Sequence, residues 1–385
     1  RVLLGACHPY VFTKKIRLLG QSPGFDPGLV HAVDVMTPLV TSPDNADLTA
    51  MTSLLNQGAA FLNRSAPVAR KALPAIPKVL VIGAGIAGMT AALTLAGQGI
   101  ETDLVEKQDT PGGNLNWLTS TVEGHDPGML LSDTLARLEK RPGITLYSGA
   151  RLLDVTGSAG RFKSTFEDSQ GQAVTMEYGA VILATGGQEA ATKAYGYGSH
   201  DGIITQKQLE TRLDQDDHFT PDTVVMILCV DSRVPGANYC SRVCCPTAIK
   251  QARTLKKRNP DSRVFVLYRD MMTCGFTEAY FTKARKEQIL FMAYEPDNVP
   301  RVETGENGLC VLTRDPVLDQ DIEIPADLLV LATGIAPELT PDLAEKLGVS
   351  RDENGFFQEA DPKWRPLDNL EQGIFACGIV QAPRS

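Results

Sequence analysis

From residue 78 onward, short runs built on apolar cores alternate with longer stretches of helical period. KVLVIG (78–83), TDLVEK (102–107), AVILATGG (180–187), TVVMILCV (223–230), RVFVLYRD (263–270), DLLVLATGI (327–335) and GIFACG (373–378) are runs of the first kind. A strand apolar on both faces belongs inside a parallel sheet covered by helices. Between these runs, IAGMTAALTLAGQ (86–98), GMLLSDTLARLEKR (128–141) and PTAIKQARTLKK (246–257) carry the helical pattern. The alternation predicts an α/β chain. ITLYSGARLLDV (144–155) and RFKSTFED (161–168) read as strands of a small connecting meander. Residues 1–75 form a separate leading α/β piece. In it RVLLGACHP (1–9) is a strand entering a turn, and DLTAMTSLLNQGAAFLN (47–63) is a helix with Asp47 as its cap. The proline-rich SAPVARKALPAIP (65–77) links the two regions.

Composition narrows the function classes. The chain has 385 residues, room for two or three domains, and the 43% hydrophobic and 22% charged content of an ordinary globular protein. A net charge of −9 argues against a nucleic-acid partner, which needs a basic face. KQARTLKKR (250–258) reads as the solvated face of a helix, with a docking patch as the alternative. No apolar run reaches the roughly 20 residues that span a bilayer. Eight cysteines in a chain of this size, with no signal peptide, point to a reducing cytoplasm and metal chemistry. The chain starts at Arg1 and stops at Ser385 just after a glycine-rich strand, which leads us to expect a piece of something longer.

Two motifs carry chemistry. After the strand KVLVIG come Gly83, Gly85 and Gly88 in G-x-G-x-x-G spacing, then a helix, then a second strand ending on Glu106. Gly83 makes the tight turn, Gly85 lets backbone approach a pyrophosphate, and Gly88 lets the helix lie close to the strand. The amides of Ile86, Ala87 and Gly88 at the helix start would face the phosphates, and Glu106 the ribose. Gly112 and Gly113 follow the second strand, where the extended chain of a flavin needs close backbone approach; a simple turn is the plainer reading. The strands ending in Ala184-Thr185-Gly186 and Ala332-Thr333-Gly334 bracket an inserted domain. The boundaries read 76–187 for the first part of the flavin domain, 188–326 for the insertion, and 327–385 for the return. This is the arrangement of the thioredoxin-reductase-like group of flavoproteins with two dinucleotide-binding domains. Gly334 and Gly378 would complete the flavin site.

The second motif is a cysteine run. Cys229, Cys240, Cys244 and Cys245 fall within seventeen residues, where even scatter would place roughly 0.4 cysteines. Four such thiols suit a metal or iron–sulfur centre. The adjacent pair converges poorly on one zinc but can reach different irons of a cube. A redox-active vicinal pair, a zinc site and plain core packing stay open as alternatives. The run stands where the inserted domain would carry a second glycine fingerprint, and the spacing is Cys-x3-Cys-Cys rather than the disulfide reductases' Cys-x2-Cys.

Ile82–Ala92, Leu104–Lys107, Pro111–Asn114, Tyr195–Gly198, Tyr239-Cys-Ser-Arg-Val-Cys-Cys245 and Val266–Asp270 together resemble the A-type flavoprotein subunit of heterodisulfide reductase and its bacterial relatives. The resemblance covers about residues 76 to 385. It implies FAD, and a [4Fe–4S] cluster on Cys229, Cys240, Cys244 and Cys245. It also implies a cytoplasmic complex with further subunits and redox carriers, in which the flavin splits an electron pair; pairing of two copies stays open. Lys107 and Asn114 are then candidate flavin contacts, and Arg242 either a charge beside the cluster or a partner in a surface salt bridge. Electron transfer requires no acid–base or nucleophilic residue, so no catalytic side chain is assigned. Cys274 and Cys377 read as core residues, Cys377 being the nearer to the flavin. A lone Cys7-His8 pair reads as structural. The chain lacks the ferredoxin-like insertion that many family members carry, and has no Cys-x2-Cys-x2-Cys run. Those departures leave full bifurcation by this chain alone unsupported.

Overall fold

The computed structural model describes residues 1–6, 26–37, 48–67, 74–305, 308–338, 341–360, 368–369 and 372–384. It divides into two units, Arg1–Pro74 and Ala75–Ser385. In the first, strands β1 (Val2–Ala6) and β2 (Val30–Asp34) pair in parallel, with helix α1 (Leu48–Arg64) on them. A Cβ at Gly58 of α1 would come within 2.8 Å of Leu3 and 2.9 Å of Val33, so the bare backbone sets how closely helix and strands approach. Cys7, His8 and Asp47 lie outside the described residues.

The second unit builds the same plan twice. First come β3 (Lys78–Ile82), α2 (Ile86–Gly97), β4 (Glu101–Val105), α3 (Pro127–Glu139) and β5 (Ile144–Tyr147). Next are the antiparallel meander β6 (Arg151–Ser158), β7 (Arg161–Glu167) and β8 (Ala173–Tyr178), and then β9 (Ala180–Leu183). After β10 (Gly187–Glu189) the plan repeats with β11 (Ile203–Thr205), α4 (Gln206–Gln215), β12 (Thr223–Ile227) and α5 (Cys244–Arg258). It continues through β13 (Arg263–Tyr268), α6 (Glu278–Lys286) and β14 (Leu290–Ala293). A second meander, β15 (Arg301–Gly305), β16 (Gly308–Asp315) and β17 (Gln320–Ala326), leads to β18 (Leu328–Leu331). The chain then runs through β19 (Ile335–Pro337), α7 (Pro341–Leu347) and β20 (Ile374–Ala376).

The two parallel sheets have strand orders β20-β9-β3-β4-β5 and β11-β18-β12-β13-β14. Their middle strands are sealed: Leu80 and Val81 of β3 and Val224, Val225, Met226 and Ile227 of β12 are fully buried. Burying each such side chain contributes about 1.5–3 kcal/mol, an upper figure against an extended unfolded chain. β10 and β19, antiparallel to each other, carry the chain out of the first domain and back. Among the described residues no helix is long and apolar enough to cross a membrane.

Two boundaries differ from the sequence reading. ITLYSGARLLDV splits at Gly149, where φ is +63°: β5 belongs to the parallel sheet and only β6 to the meander. The second Ala-Thr-Gly strand, β18, pairs with β11 and β12 and closes the second sheet. The return to the first domain comes later, where β20 pairs with β9. An apolar strand ending in Ala-Thr-Gly fits either sheet; partner strands set by the tertiary fold decide.

Candidate functional site

At the carboxyl end of the first sheet, backbone meets backbone. A Cβ at Gly83 (φ +105°) would lie 2.4 Å from the Ala184 carbonyl oxygen, and one at Gly88 would be 1.8 Å from that of Gly83. Gly112 donates its amide to Ala84 O at 2.8 Å, and a Cβ on Gly113 would sit 3.2 Å from Gly85 Cα. The two glycine turns therefore stack on each other. Gly378 closes the arrangement, since a Cβ there would be 2.7 Å from that of Ala87.

What this enclosure leaves open has the chemistry of an anion cradle. A Cβ on Gly85 would meet nothing within 4 Å, and α2 begins there with no side chain capping its amides. Unsatisfied amides at a helix start attract phosphate. Ile86 is exposed beside them, and Gly186 faces open space. The Thr185 hydroxyl is buried with no hydrogen-bond partner. Glu106, buried at the end of β4, accepts from the amides of Ala84 (2.7 Å) and Gln108 (2.9 Å), and so locks the glycine turn to the strand. Lys107 pairs with Glu338, and Asn114 donates to Gly187 O at 3.2 Å while accepting from the Trp117 indole. Both bridge the first domain to the β10–β19 crossing segment.

At the matching end of the second sheet the same strand grammar meets side chains instead. β12 runs into Leu228, whose carbonyl accepts from the Tyr294 hydroxyl at 2.6 Å, and then into the cysteine loop. Val230 donates its amide to Ala332 O at 3.1 Å, tying that loop to the second Ala-Thr-Gly. The Ser241 hydroxyl accepts from the Ile335 amide at 2.9 Å, and Tyr239 donates to Ile335 O at 2.9 Å. Gly334, expected at the dinucleotide cradle, lies here: a Cβ on it would be 2.3 Å from Ser241 Oγ and 3.7 Å from Cys244 Sγ. The cause is the pairing of β18 with the second sheet. Ligands of open α/β sheets bind at this edge, and the cysteine loop occupies it.

The loop has an unusual backbone. Seven non-glycine residues among those described have positive φ, and Cys229, Asp231, Arg233 and Arg242 are four of them. The sign of φ alternates from Cys229 to Arg233, as in the backbone nests that hold phosphates and iron–sulfur groups. Cys244 and Cys245 are buried in the first turn of α5; Cys229 and Cys240 are half-buried. Burial pushes the Cys229, Cys244 and Cys245 thiols upward, Cys245 to about 11 and Cys244 further, the neighbouring thiols adding to the Cys244 shift. The four are thus within electrostatic reach of one another. Among the described residues no three His, Cys, Asp or Glu side chains close on a single ion. Four thiols are a donor set that suits a zinc or an iron–sulfur group.

The charge beside the thiols differs from expectation. Arg242 is exposed. Arg233 instead hydrogen-bonds Cys229, opposing the upward push of burial on that thiol, and pairs with Asp270 at 2.6 Å. Arg269 donates to Arg233 O at 3.0 Å, and Cys245 Sγ lies 3.7 Å from Asp270 O. Arg233 lies in no motif, whereas Arg269 and Asp270 close the Val266–Asp270 motif at the end of RVFVLYRD. Cys274, expected in the core, is exposed, whereas Cys377 packs against the buried cluster that holds Val79, Ala84 and Met89.

The pyridine nucleotide-disulphide oxidoreductase family model matches residues 77–384. The chain belongs to that family. It is an oxidoreductase, and its two-domain architecture is thioredoxin-reductase-like: it superposes on Lactococcus lactis thioredoxin reductase with a TM-score of 0.56 at 21% identity, covering 80% of this chain and 91% of that one. Curated relatives of this oxidoreductase include the A-type iron-sulfur subunit of a CoB–CoM heterodisulfide reductase from Methanopyrus kandleri, 28% identical over all of this chain and 73% of that protein. The A-type subunit of a ferredoxin/F(420)H(2)-dependent CoB-CoM heterodisulfide reductase from Methanosarcina acetivorans is 26% identical, again over the whole chain, which spans 60% of that relative's length. The alignments run to 490 and 484 positions for a chain of 385, so these relatives hold internal segments that this chain lacks.

Proposed function

We propose that the chain is an electron-transfer subunit in which the first domain binds FAD and the second a [4Fe–4S] cluster on Cys229, Cys240, Cys244 and Cys245. The supporting observation is that the cysteine loop lies where a second nucleotide would bind, tied to Ala332 just after β18 and to Ile335 at the start of β19. The open backbone at Gly85, the uncapped α2 and the buried Thr185 hydroxyl would hold the flavin; Ile86, Ala87 and Gly88 supply the amides. FAD exchanges one or two electrons and the cluster one, which lets such a pair divide electrons between unlike carriers. The chain's own residues bind, orient and exclude water. Further subunits and redox carriers would supply donor and acceptor, as the names of the relatives suggest.

A disulfide reductase working through Cys244 and Cys245 fits less well. A thiol nucleophile must be exposed and ionised near neutral pH. Both of these are buried, with Cys245 pushed to about 11 and Cys244 beyond. Anaerobic purification followed by flavin spectrum, iron and sulfide assay and EPR after dithionite tests the proposal. We expect flavin bands with about four irons per chain, the iron being lost in Cys244→Ala. Flavin without iron, even after anaerobic reconstitution, would sink it.

A further inference from the structure

KQARTLKKR, at the cationic end of α5, is not a solvated face. Lys250 is 9% exposed and Gln251 fully buried, while Arg253 pairs with Glu287 at 2.7 Å and Arg258 caps α4 through the Leu213 and Asp216 carbonyls. Lys250 reaches Glu210 of α4, itself 1% exposed, at 2.5 Å. One oxygen of Glu210 also accepts from the amide (3.1 Å) and hydroxyl (2.6 Å) of Thr119, and Lys250 Nζ donates to Ser120 O at 2.9 Å. Thr119 and Ser120 belong to the first domain, a few residues beyond Gly112, Gly113 and Asn114. An ion pair made inside the second domain thus grips the segment that leaves the dinucleotide cradle.

The grip continues to the cysteines. Gln251 Nε2 donates to the other Glu210 oxygen (3.0 Å) and to Gln206 O (2.7 Å), and Gln206 Nε2 donates to Cys244 O at 3.0 Å. Two further ties run in parallel. Glu189 of β10 accepts from the Thr205 hydroxyl and the Lys207 amide at the start of α4, and Lys207 Nζ stands 5.1 Å above the Trp117 ring. A buried ion pair adds little net stability but tolerates little displacement, because moving one partner leaves a charge unpaired away from water. Hydrogen bonds of 2.5–3.1 Å are broken by a shift of about 1 Å.

We propose that Glu210 and Lys250 are positioning residues forming an interdomain clasp. It holds the second domain in one orientation on the first and fixes the cysteine helix relative to the dinucleotide cradle. The importance of that separation for electron transfer rests on the function proposed above; the clasp itself does not.

The test is hydrogen exchange and small-angle X-ray scattering on the full chain, wild type against Thr119→Val, Thr119→Ser and Lys250→Met. Thr119 is exposed, so its variants should fold. Loss of a hydrogen bond to a charged acceptor should raise exchange about tenfold or more in Thr119→Val. The rise is expected in peptides spanning 115–122, 206–215 and 244–251, with a broadened scattering distance distribution. The serine variant should restore both, and Lys250→Met should broaden scattering further. Faster exchange confined to 115–122 with unchanged scattering, or serine failing to restore protection, would overturn the clasp. Iron and flavin contents are read on the same preparations. A chain without iron removes the proposed function and leaves the clasp standing, whereas an iron-loaded chain with unchanged exchange and scattering removes the clasp alone.

Discussion

The two Ala-Thr-Gly strand ends are built alike and put to different use. Ala184-Thr185-Gly186 abuts the Gly83 turn, backbone against backbone; Ala332-Thr333-Gly334 abuts Ser241 and Cys244, backbone against side chain. In both, the threonine hydroxyl is buried without a partner. The sheets supply the same platform at the same edge, and the loop after the middle strand decides what can occupy it. A glycine turn after β3 leaves room for an extended ligand. A longer loop after β12, with left-handed residues at Cys229, Asp231 and Arg233, fills that room with thiols. The contrast teaches that the fold locates a site and the loop gives it its chemistry.

If the first end is made of backbone and the second of side chains, truncating a side chain should hurt the second more, and adding a Cβ should hurt the first more. The largest effect is expected from Lys250→Met, which strands the buried Glu210 carboxylate. Removing one partner of a buried pair costs about 3–5 kcal/mol, readable as a shift in the denaturant midpoint. Next is Gly83→Ala, which combines a left-handed alanine with a collision against the immobile Ala184 carbonyl, for about 3 kcal/mol, with loss of bound flavin. Gly334→Ala carries similar backbone strain at φ +82°, but its 2.3 Å neighbour is the Ser241 hydroxyl. It should cost about 1–2 kcal/mol, and less when combined with Ser241→Ala. Equal losses at Gly83 and Gly334, or no relief in the double variant, would break the comparison.

The first end is more legible in the sequence than the second for a physical reason. The glycine fingerprint is local: turn, strand and helix lie within thirty residues, and each glycine answers to a neighbour close in sequence or to a strand that the apolar pattern already marks. The cysteine spacing is equally visible, but its surroundings come from distant parts of the chain. Arg233, not Arg242, stands by Cys229, a placement that the cysteine spacing does not encode. Lys250 reads as solvated because Glu210 lies 40 residues before it and Thr119 still further. A polar helix face that covers another domain looks, in sequence, like one that meets water. Gly334 falls to the wrong cradle in a sequence reading because strand pairing is tertiary information.

The smallest expected effect concerns acid. Burial by itself would raise the Glu210 carboxyl, but the Lys250 charge and hydrogen bonds from Lys250, Thr119 and Gln251 outweigh it and hold the group below its ordinary 4.5. A carboxylate lowered in the folded state contributes stability that is fully present above its unfolded value and is lost as pH falls through the folded one. Wild type should therefore lose stability on going from about pH 5 downward, by a fraction of the Lys250→Met loss. Glu287, lowered chiefly by its hydrogen bond from Arg253, titrates in the same direction, so the wild-type slope alone does not isolate Glu210. The double variant Glu210→Gln/Lys250→Met removes only the clasp's share and should give a shallower decline of the urea midpoint between about pH 5 and pH 3. The first strand end offers the control, since glycines do not titrate: Gly83→Ala should shift the whole curve downward and leave its slope unchanged. A double variant as steep as wild type would show that Glu210 is not held as a buried anion, and the side-chain half of the comparison would fail with it.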